Sequence, residues 1–435
     1  MTDRDQAAQR PVGYLELVRG NANYRNVWLG EIVSLFGDWF DLIASATLIA
    51  KLTGSGLAVG GLFVARMLAP FLISPVAGVL ADRYDRRKLL IFCDLARAVI
   101  VLGFLLVRRP DQIWLLYLVT VLQLTLGGIF FPTRNAILPD IVAERELGTA
   151  NALSSTTWST MLSIGAALGG LATGQWGIYP AFVIDSISFL ASAAFLWQVH
   201  TQATPPLSGH TASVRGALGL YVDGLRYLRQ NVDIFWITML KAALGLSIGG
   251  AFQVIEVTLA EKVFVIGQGG GTSLGLIYAV AGAGTGLGPI LARRFTGDRV
   301  RPLRWAILLS FGLSAVGVLI VAPLAGFGLV LLGALLNAIG TGTNWVFSSQ
   351  LLLQLTPSQV RGRVFASDFA AVTLANAIGS GAAGWLLDRS GFGVSGLLAG
   401  MSAVTLAFGG LWWVWITLGA PARADAAAAR VAPSD

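Results

Sequence analysis

Residues 78–90 read Gly-Val-Leu-Ala-Asp-Arg-Tyr-Asp-Arg-Arg-Lys-Leu-Leu. Six charged side chains lie between Asp82 and Lys88, while residues 67–81 before them contain none. The runs on either side, 57–81 and 88–107, are each long enough to cross a hydrocarbon layer of ~30 Å as a helix. A charged turn between two such runs places the chain at a membrane surface, where it leaves the bilayer and re-enters it. The same alternation continues outward in both directions. Apolar spans fall at 27–50, 57–81, 88–107, 113–133, 147–174, 178–199, 234–257, 273–292, 303–322, 327–353, 364–387 and 394–418. The predicted fold class is therefore an all-α membrane protein with twelve transmembrane helices.

Composition excludes the soluble classes. Of 435 residues, 12% are charged, 55% are hydrophobic and 53 are glycine, with a mean hydropathy of +0.71. That is about half the charge of an ordinary soluble protein, too little to cover a water-facing surface of this size. A β-barrel porin alternates polar and apolar residues and has only weak hydropathy. The single cysteine, Cys93, lies in an apolar run and excludes a disulfide framework. The first 23 residues are polar and charged, so span 1 itself is expected to direct insertion.

Orientation follows from the basic residues. With both termini in the cytoplasm, 22 of the 30 Lys and Arg face that side and five (Lys51, Arg108, Arg109, Lys262, Arg389) face the other. Arg66, Arg97 and Lys241 remain inside the membrane. The net charge of +7 and pI near 9.8 are thus a cytoplasmic collar, and no nucleic-acid partner is needed to account for them. Residues 200–233 form the longest loop, with Pro205, Pro206 and Gly209 followed by an amphipathic stretch around Val222–Leu228. The expected division is a six-helix bundle over 1–199, a central cytoplasmic loop over 200–233, a second bundle over 234–420 and an unstructured tail over 421–435. Internal echoes support two parallel six-helix repeats. Pro, Val and Arg keep their spacing between 139–145 and 357–363, 218 residues apart, and 78–83 is echoed by 288–293, 210 residues apart.

The loop at 78–90 resembles the signature G-x-L-A-D-R-x-G-R-K of the major facilitator superfamily, with Asp85 in the place of its Gly. DLARA at 94–98, FFPTRNAILPDIV at 130–142, ANAL at 150–153, DSISF at 185–189 and RGRVF at 361–365 narrow the similarity. They point to the bacterial branch that contains enterobactin exporters and macrolide efflux proteins. The resemblance implies two six-helix bundles of the major facilitator fold, alternating access, and a cavity lined by spans 1, 4, 7 and 10. It further implies a secondary transporter that exports amphipathic small molecules (drug, macrolide or siderophore) as a proton antiporter in a bacterial inner membrane. By the same resemblance Gly78, Asp82, Arg83, Arg86, Arg87 and Lys88 form the gate. Asp82 would face the positive N-terminus of a neighbouring helix, span 11 by family analogy. The other reading of this loop is a positive-inside anchor, attracted to anionic lipid. Two departures stand out. Residues 165–170 read GAALGG, with Ala166 where related exporters carry Pro, and span 4 has no Arg before Arg134, which is placed at its cytoplasmic end.

Span 1 carries the most chemistry. At ~100° per residue, Glu31, Ser34, Asp38, Asp41 and Ser45 fall on one stripe. A carboxylate facing lipid is costly, so acids within a span face a cavity, pair with a cation or hold a proton. Asp38 and Asp41, with Glu31 nearer the cytoplasm, are the candidates for proton or cation coupling. The competing reading makes Glu31 a hydrated end group and makes Asp38 or Asp41 the counter-ion of Arg66. Asp94 and Arg97, three apart, share a helix face and are read as an intramembrane ion pair. Asp185 is read as a group that bonds a neighbouring helix.

Lys241 and Glu256 project to one side of span 7, and Asn337, Thr341, Asn344 and Ser348 form a polar stripe on span 10. With Gln123 these are candidates for the substrate cavity, although such a stripe equally suits interhelical bonding. No G-x-x-x-x-G-K-[ST] occurs and 267–272 (GQGGGT) has no following Lys, so neither an ATPase nor a phosphate cradle is expected. His200 and His210 are too isolated for a metal site, no cofactor is implied, and no nucleophile–base set suggests an enzyme. The glycine pairs Gly165/Gly169, Gly245/Gly249, Gly282/Gly286 and Gly284/Gly288 indicate close helix packing. Trp412, Trp413 and Trp415 read as an interfacial belt. The expected partners are a small-molecule substrate, protons and the lipid bilayer, with the chain acting as a monomer. An importer, a lysophospholipid flippase and a non-transporting sensor or scaffold remain the alternatives.

Overall fold

The computed structural model describes residues 12–201, 214–389 and 391–419. Pro205, Pro206, Gly209, His210 and the tail 421–435 lie outside them. Apart from the helices Tyr14–Gly20 and Val214–Gln230, the second of which lies within the segment expected to be a loop, the helices are α1 (Ala22–Thr53), α2 (Gly56–Arg83), α3 (Arg86–Val101, extended by a 3₁₀ segment Leu102–Leu106), α4 (Ile113–Ile141), α5 (Glu144–Trp176) and α6 (Ile178–Trp197). They continue with α7 (Val232–Leu244), α8 (Gly271–Thr296), α9 (Val300–Val321), α10 (Phe327–Leu355), α11 (Ser358–Arg389) and α12 (Gly393–Val414). Each coincides with one expected span. Among the described residues eleven helices are long and apolar enough to cross a membrane. The exception is α5, whose Ser, Thr and Gly content dilutes its hydropathy although it runs for 33 residues.

Local chemistry sets the ends. Asn21 accepts from the Tyr24 amide and caps α1, while its amide nitrogen donates to the Ile141 carbonyl at 2.7 Å. The departure at Asp85 has a structural use: its carboxylate accepts from the Lys88 amide at 3.0 Å and caps α3. Asp is among the preferred residues at this position. The turn is then tied inward. Arg86 bonds the Ala136 carbonyl and the Asp140 carboxylate of α4 at 3.0 and 2.7 Å, and Arg87 bonds the Leu196 and Trp197 carbonyls of α6.

The chain forms two compact units. One holds residues up to Val222 together with Val254–Gly282; the other holds Asp223–Gln253 together with Ala283 onward. In the first unit, α1 lies against α6 through glycines. A methyl group on Gly30 would fall 3.2 Å from Ser192 Oγ, and one on Gly37 would overlap Ser188 Oγ and Asp185 Oδ1. Gly165 faces the Trp39 ring and Gly169 the backbone of Trp39 and Phe40, which seats α5 on α1. Trp28 Nε1 donates to Thr157 Oγ1 at 2.8 Å across the same contact. The stretch 254–282 completes this unit, with Gly275 against Gly170 and Ser163 Oγ donating to the Ala279 carbonyl at 2.7 Å.

In the second unit, α9 and α10 meet backbone to backbone. A methyl group on Gly317 would sit 2.6 Å from the Gly333 carbonyl oxygen. Gly284 and Gly288 approach α10 in the same way. Trp412 is fully buried and its indole donates to the Arg304 carbonyl at 3.0 Å. This corrects the belt reading: of the three tryptophans Trp413 is the half-exposed one, and Trp415 packs against Trp236 with the rings tilted by 34° and their centroids 5.3 Å apart. Helix α7 is interrupted by a π turn at Gly245–Gly249 before it resumes at Gly250–Thr258. There Gly245 and Gly249 close on the Asn376 side chain, and Thr405 donates to Ser247 at 2.9 Å.

Because Gly317 and Gly333 leave no room for a side chain, Gly317→Ala is expected to cost about 1–3 kcal/mol of stability through overpacking. A thermal unfolding scan in detergent checks it, with Gly312→Ala, where an added methyl meets nothing within 4 Å, as the matched control.

Candidate functional site

A cavity of about 240 Å³ opens in the first unit, lined among others by Glu31, Ser34, Asp38, Trp39, Arg66, Arg97, Gln123, Phe130, Phe131, Arg134 and Trp158. Four helices supply its charges: Glu31 and Asp38 from α1, Arg66 from α2, Arg97 from α3 and Arg134 from α4. An apolar span tolerates these groups only if they are matched, and most are. Arg66 Nη1 reaches Asp41 Oδ2 at 3.1 Å. Arg97 pairs with Asp94 and is held between the Phe130 and Phe189 rings, 4.6 and 4.2 Å from their centroids. Such a stack satisfies a guanidinium without a second anion. Arg134 pairs with Glu31 and also bonds Ser154 of α5.

These contacts revise several sequence expectations. Glu31 is buried and ion-paired, not hydrated at the cytoplasmic end. Arg134 is likewise buried within α4, so it leaves the cytoplasmic collar and supplies the membrane-embedded arginine that α4 was thought to lack. Asp41 takes the counter-ion role for Arg66, with no exposed surface left. Asp38 is different. It is half-buried, lines the cavity, and has no basic nitrogen within 4.0 Å among the described residues. Arg97 and Arg66 are its electrostatic neighbours, each already engaged by another carboxylate.

Gln123 is buried, lines the cavity, and donates to Asp185 Oδ2 at 3.3 Å. Glu256 is also buried but belongs to the first unit, whereas Lys241 belongs to the second. The π turn between them breaks the regular wheel on which they shared a face. Lys241 Nζ is committed to Asp368 Oδ2 at 2.6 Å and Ser349 Oγ at 2.9 Å, beside the Trp345 ring. Asp368 went unnoticed in the sequence. It is one of the few acids in α11, and its partner lies 127 residues away.

The stripe on α10 turns toward α9. Asn344 Nδ2 donates to Ser310 Oγ at 3.3 Å, Ser314 Oγ donates to the Asn337 carbonyl at 3.3 Å, and Ser348 bonds within its own helix. Thr341 is half-buried and donates to the Ala338 carbonyl at 3.2 Å. These are interhelical and intrahelical bonds, the second of the two readings given for such a stripe. Of the loop motif, Asp82, Arg83 and Lys88 are exposed, and a methyl group on Gly78 would meet nothing within 4 Å. Among the described residues no group of three or more His, Cys, Asp or Glu is placed to hold a metal ion.

A helical membrane protein with a charged cavity inside its first six helices is the architecture of a solute carrier. The sequence model of the Major Facilitator Superfamily matches residues 27–302 and 267–434, and the chain belongs to that family. It is a multi-pass membrane transporter, not an enzyme. Over 391 residues it is 26% identical to YfiS, an MFS-type transporter of Bacillus subtilis strain 168, covering 88% of this chain and 91% of that protein. It is 23% identical to the putative bacilysin exporter BacE of the same strain, covering 82% and 87%. Macrolide efflux protein A of Streptococcus pyogenes is 25% identical over 49% of this chain and 52% of its own length. The crystal structure of the nucleoside transporter NupG superposes with a TM-score of 0.71 at 11% identity, covering 91% of this chain and 99% of that one.

The Lys241–Asp368 pair supplies a test of architecture. Removing one member strands a buried charge at a cost of about 3–5 kcal/mol, whereas replacing both by apolar groups is close to neutral. Lys241→Met alone is therefore expected to lower thermal stability sharply, and Lys241→Met with Asp368→Leu to restore most of it. A double-mutant cycle of melting curves measures the coupling.

Proposed function

We propose that this transporter exports amphipathic small molecules in exchange for inward-moving protons, by alternating access, as a monomer in a bacterial inner membrane with both termini in the cytoplasm. The observation that carries the reading is Asp38, a cavity-lining carboxyl with no committed cation among three guanidinium–carboxylate pairs. A group that must take up and release a proton cannot be locked to a counter-ion in both states. The aromatic walls Trp39, Phe130, Phe131 and Trp158 suit the apolar body of a substrate. The efflux proteins among the relatives support export as the direction. Asp41 and Glu31 hold the cavity's cations in place. Asp82, Arg83 and Lys88 are the members of the loop motif available for gating, since Arg86 and Arg87 are engaged inside their own unit. The positive-inside bias supports the orientation and survives the loss of Arg134 from the collar.

Import or lysophospholipid flipping is the second reading, favoured by Ala166, which stands where related exporters carry Pro and is fully buried. Stimulation by lipid, with cargo entering from the bilayer, would separate it from drug export.

Purified protein in liposomes with an imposed pH gradient, offered dyes, macrolides and siderophores in turn, tests the proposal. The native chain is expected to show substrate-dependent proton entry, and Asp38→Asn to lose it by about 100-fold or more, the usual worth of a positioned proton-transfer group. Equal proton movement in both proteins would remove Asp38 from the mechanism.

A further inference from the structure

Asp185 of α6 lies deeper in the first unit than the cavity acids. It is fully buried. Gln123 Nε2 donates to its Oδ2 at 3.3 Å and Ser188 Oγ to its Oδ1 at 3.4 Å. Its Oδ1 rests against Gly37, one residue before Asp38, in a space that only a glycine leaves open. Among the described residues it has no basic nitrogen within 4.0 Å.

The charges acting on it are Asp38 and Asp41 from α1 and Arg97 from α3; Arg66 of α2 and Asp94 of α3 pair with members of that set. Helix α4 presents the neutral Gln123, and α5 has no charged residue after Glu146. The buried cluster thus holds five carboxyls (Glu31, Asp38, Asp41, Asp94, Asp185) against three guanidiniums (Arg66, Arg97, Arg134). The three cations are committed to Glu31, Asp41 and Asp94. Two acids are left over, Asp38 at the cavity and Asp185 behind it. Uncompensated charge in such a place is costly, and one proton on each acid restores the balance.

A second, independent feature connects the two. Among the described residues Gln123 Oε1, Thr120 Oγ1 and Asp41 Oδ1 are buried polar atoms without a partner in hydrogen-bond geometry, whereas Asp94 and Ser192 lie close enough to serve each other. Buried polar atoms are nearly always satisfied, and a group of them between helices is the setting for bound water. Gln123 stands at the junction, lining the cavity on one side and bonding Asp185 on the other. Its two-ended amide can serve either form of the acid: the N–H bonds an ionised carboxylate, and the unpartnered Oε1 accepts from a protonated one.

We propose that Asp185 is a second proton-binding carboxyl of this transporter, reached from the cavity past Gln123 through water held by Thr120, Asp41 and Gln123. Gln123 is its positioning residue. The inference rests on the proton-coupled reading of the cavity, but it is tested on a separate residue.

Infrared difference spectroscopy of the purified full-length protein during a pH titration, with no substrate added, reads protonated buried carboxyls directly. Asp38→Asn is expected to remove one titrating carboxyl component, and Asp185→Asn to remove another. In Gln123→Leu the Asp185 component is expected to shift in frequency, because its hydrogen bond is lost. A spectrum of Asp185→Asn identical to that of the native chain overturns the proposal. Should that variant fail to fold, an unshifted spectrum in Gln123→Leu overturns it instead. Retention of every component in Asp38→Asn sinks the cavity reading alone, so the two failures are distinguishable.

Discussion

Hydrocarbon admits no unmatched charge, and the helix arrangement of this protein follows from how each intramembrane ion is answered. Four buried pairs join helices or turns of one helix: Glu31–Arg134, Asp41–Arg66, Asp94–Arg97 and Lys241–Asp368. A buried pair contributes little net stability over an apolar replacement, but loss of one member is severe. Such pairs therefore act as registry devices, fixing which helices meet and at what depth. Glycine then sets the spacing. Where Gly37, Gly169 or Gly317 faces a neighbour, backbones approach closely enough for short polar side chains to bond across.

The same device appears in both halves with its signs exchanged. Glu31 of α1 meets Arg134 of α4 and Ser154 of α5; Lys241 of α7 meets Ser349 of α10 and Asp368 of α11. These are the first, fourth and fifth helices of each set of six. Corresponding members lie 210, 215 and 214 residues apart, close to the 210 and 218 of the two loop echoes. The repeat is thus visible in side-chain chemistry even where sequence identity between the halves has faded. Each triad is complete in itself, which directs attention to the acids that belong to none.

Helix number and position were legible in the sequence because hydropathy is additive and local. Asp94–Arg97 was legible for the same reason, since three residues on a helix are always neighbours. Glu31–Arg134 and Lys241–Asp368 were not, because their members lie 103 and 127 residues apart and only packing brings them together. Arg134 was misplaced for a related reason: α4 continues through the polar pair Arg134-Asn135 to Ile141, beyond the end that hydropathy gives the span. The wheel that put Lys241 and Glu256 on one face assumed an unbroken α-helix, and the π turn at Gly245–Gly249 breaks it. The cap made by Asp85 does not show in the loop motif, whose signature has Gly at that place.

A proton carrier has to be tolerated in both of its forms, which is a stricter demand than burial. Asp41 meets only half of it, since the Arg66 guanidinium at 3.1 Å answers its charge permanently. Glu256, buried and without a basic nitrogen within 4.0 Å among the described residues, meets the other half. Asp38 stands between these extremes. Arg97 is paired with Asp94 and held between two phenyl rings, and it acts on Asp38 through space without bonding it. Arg66, paired with Asp41, acts on Asp38 in the same way. On the proposed coupling these two charges would support Asp38 as an anion without fixing it in a salt bridge, and the cavity would give water or substrate access to it. The aromatic packing around Arg97 would, on the same proposal, keep a cation near Asp38 that does not bind it.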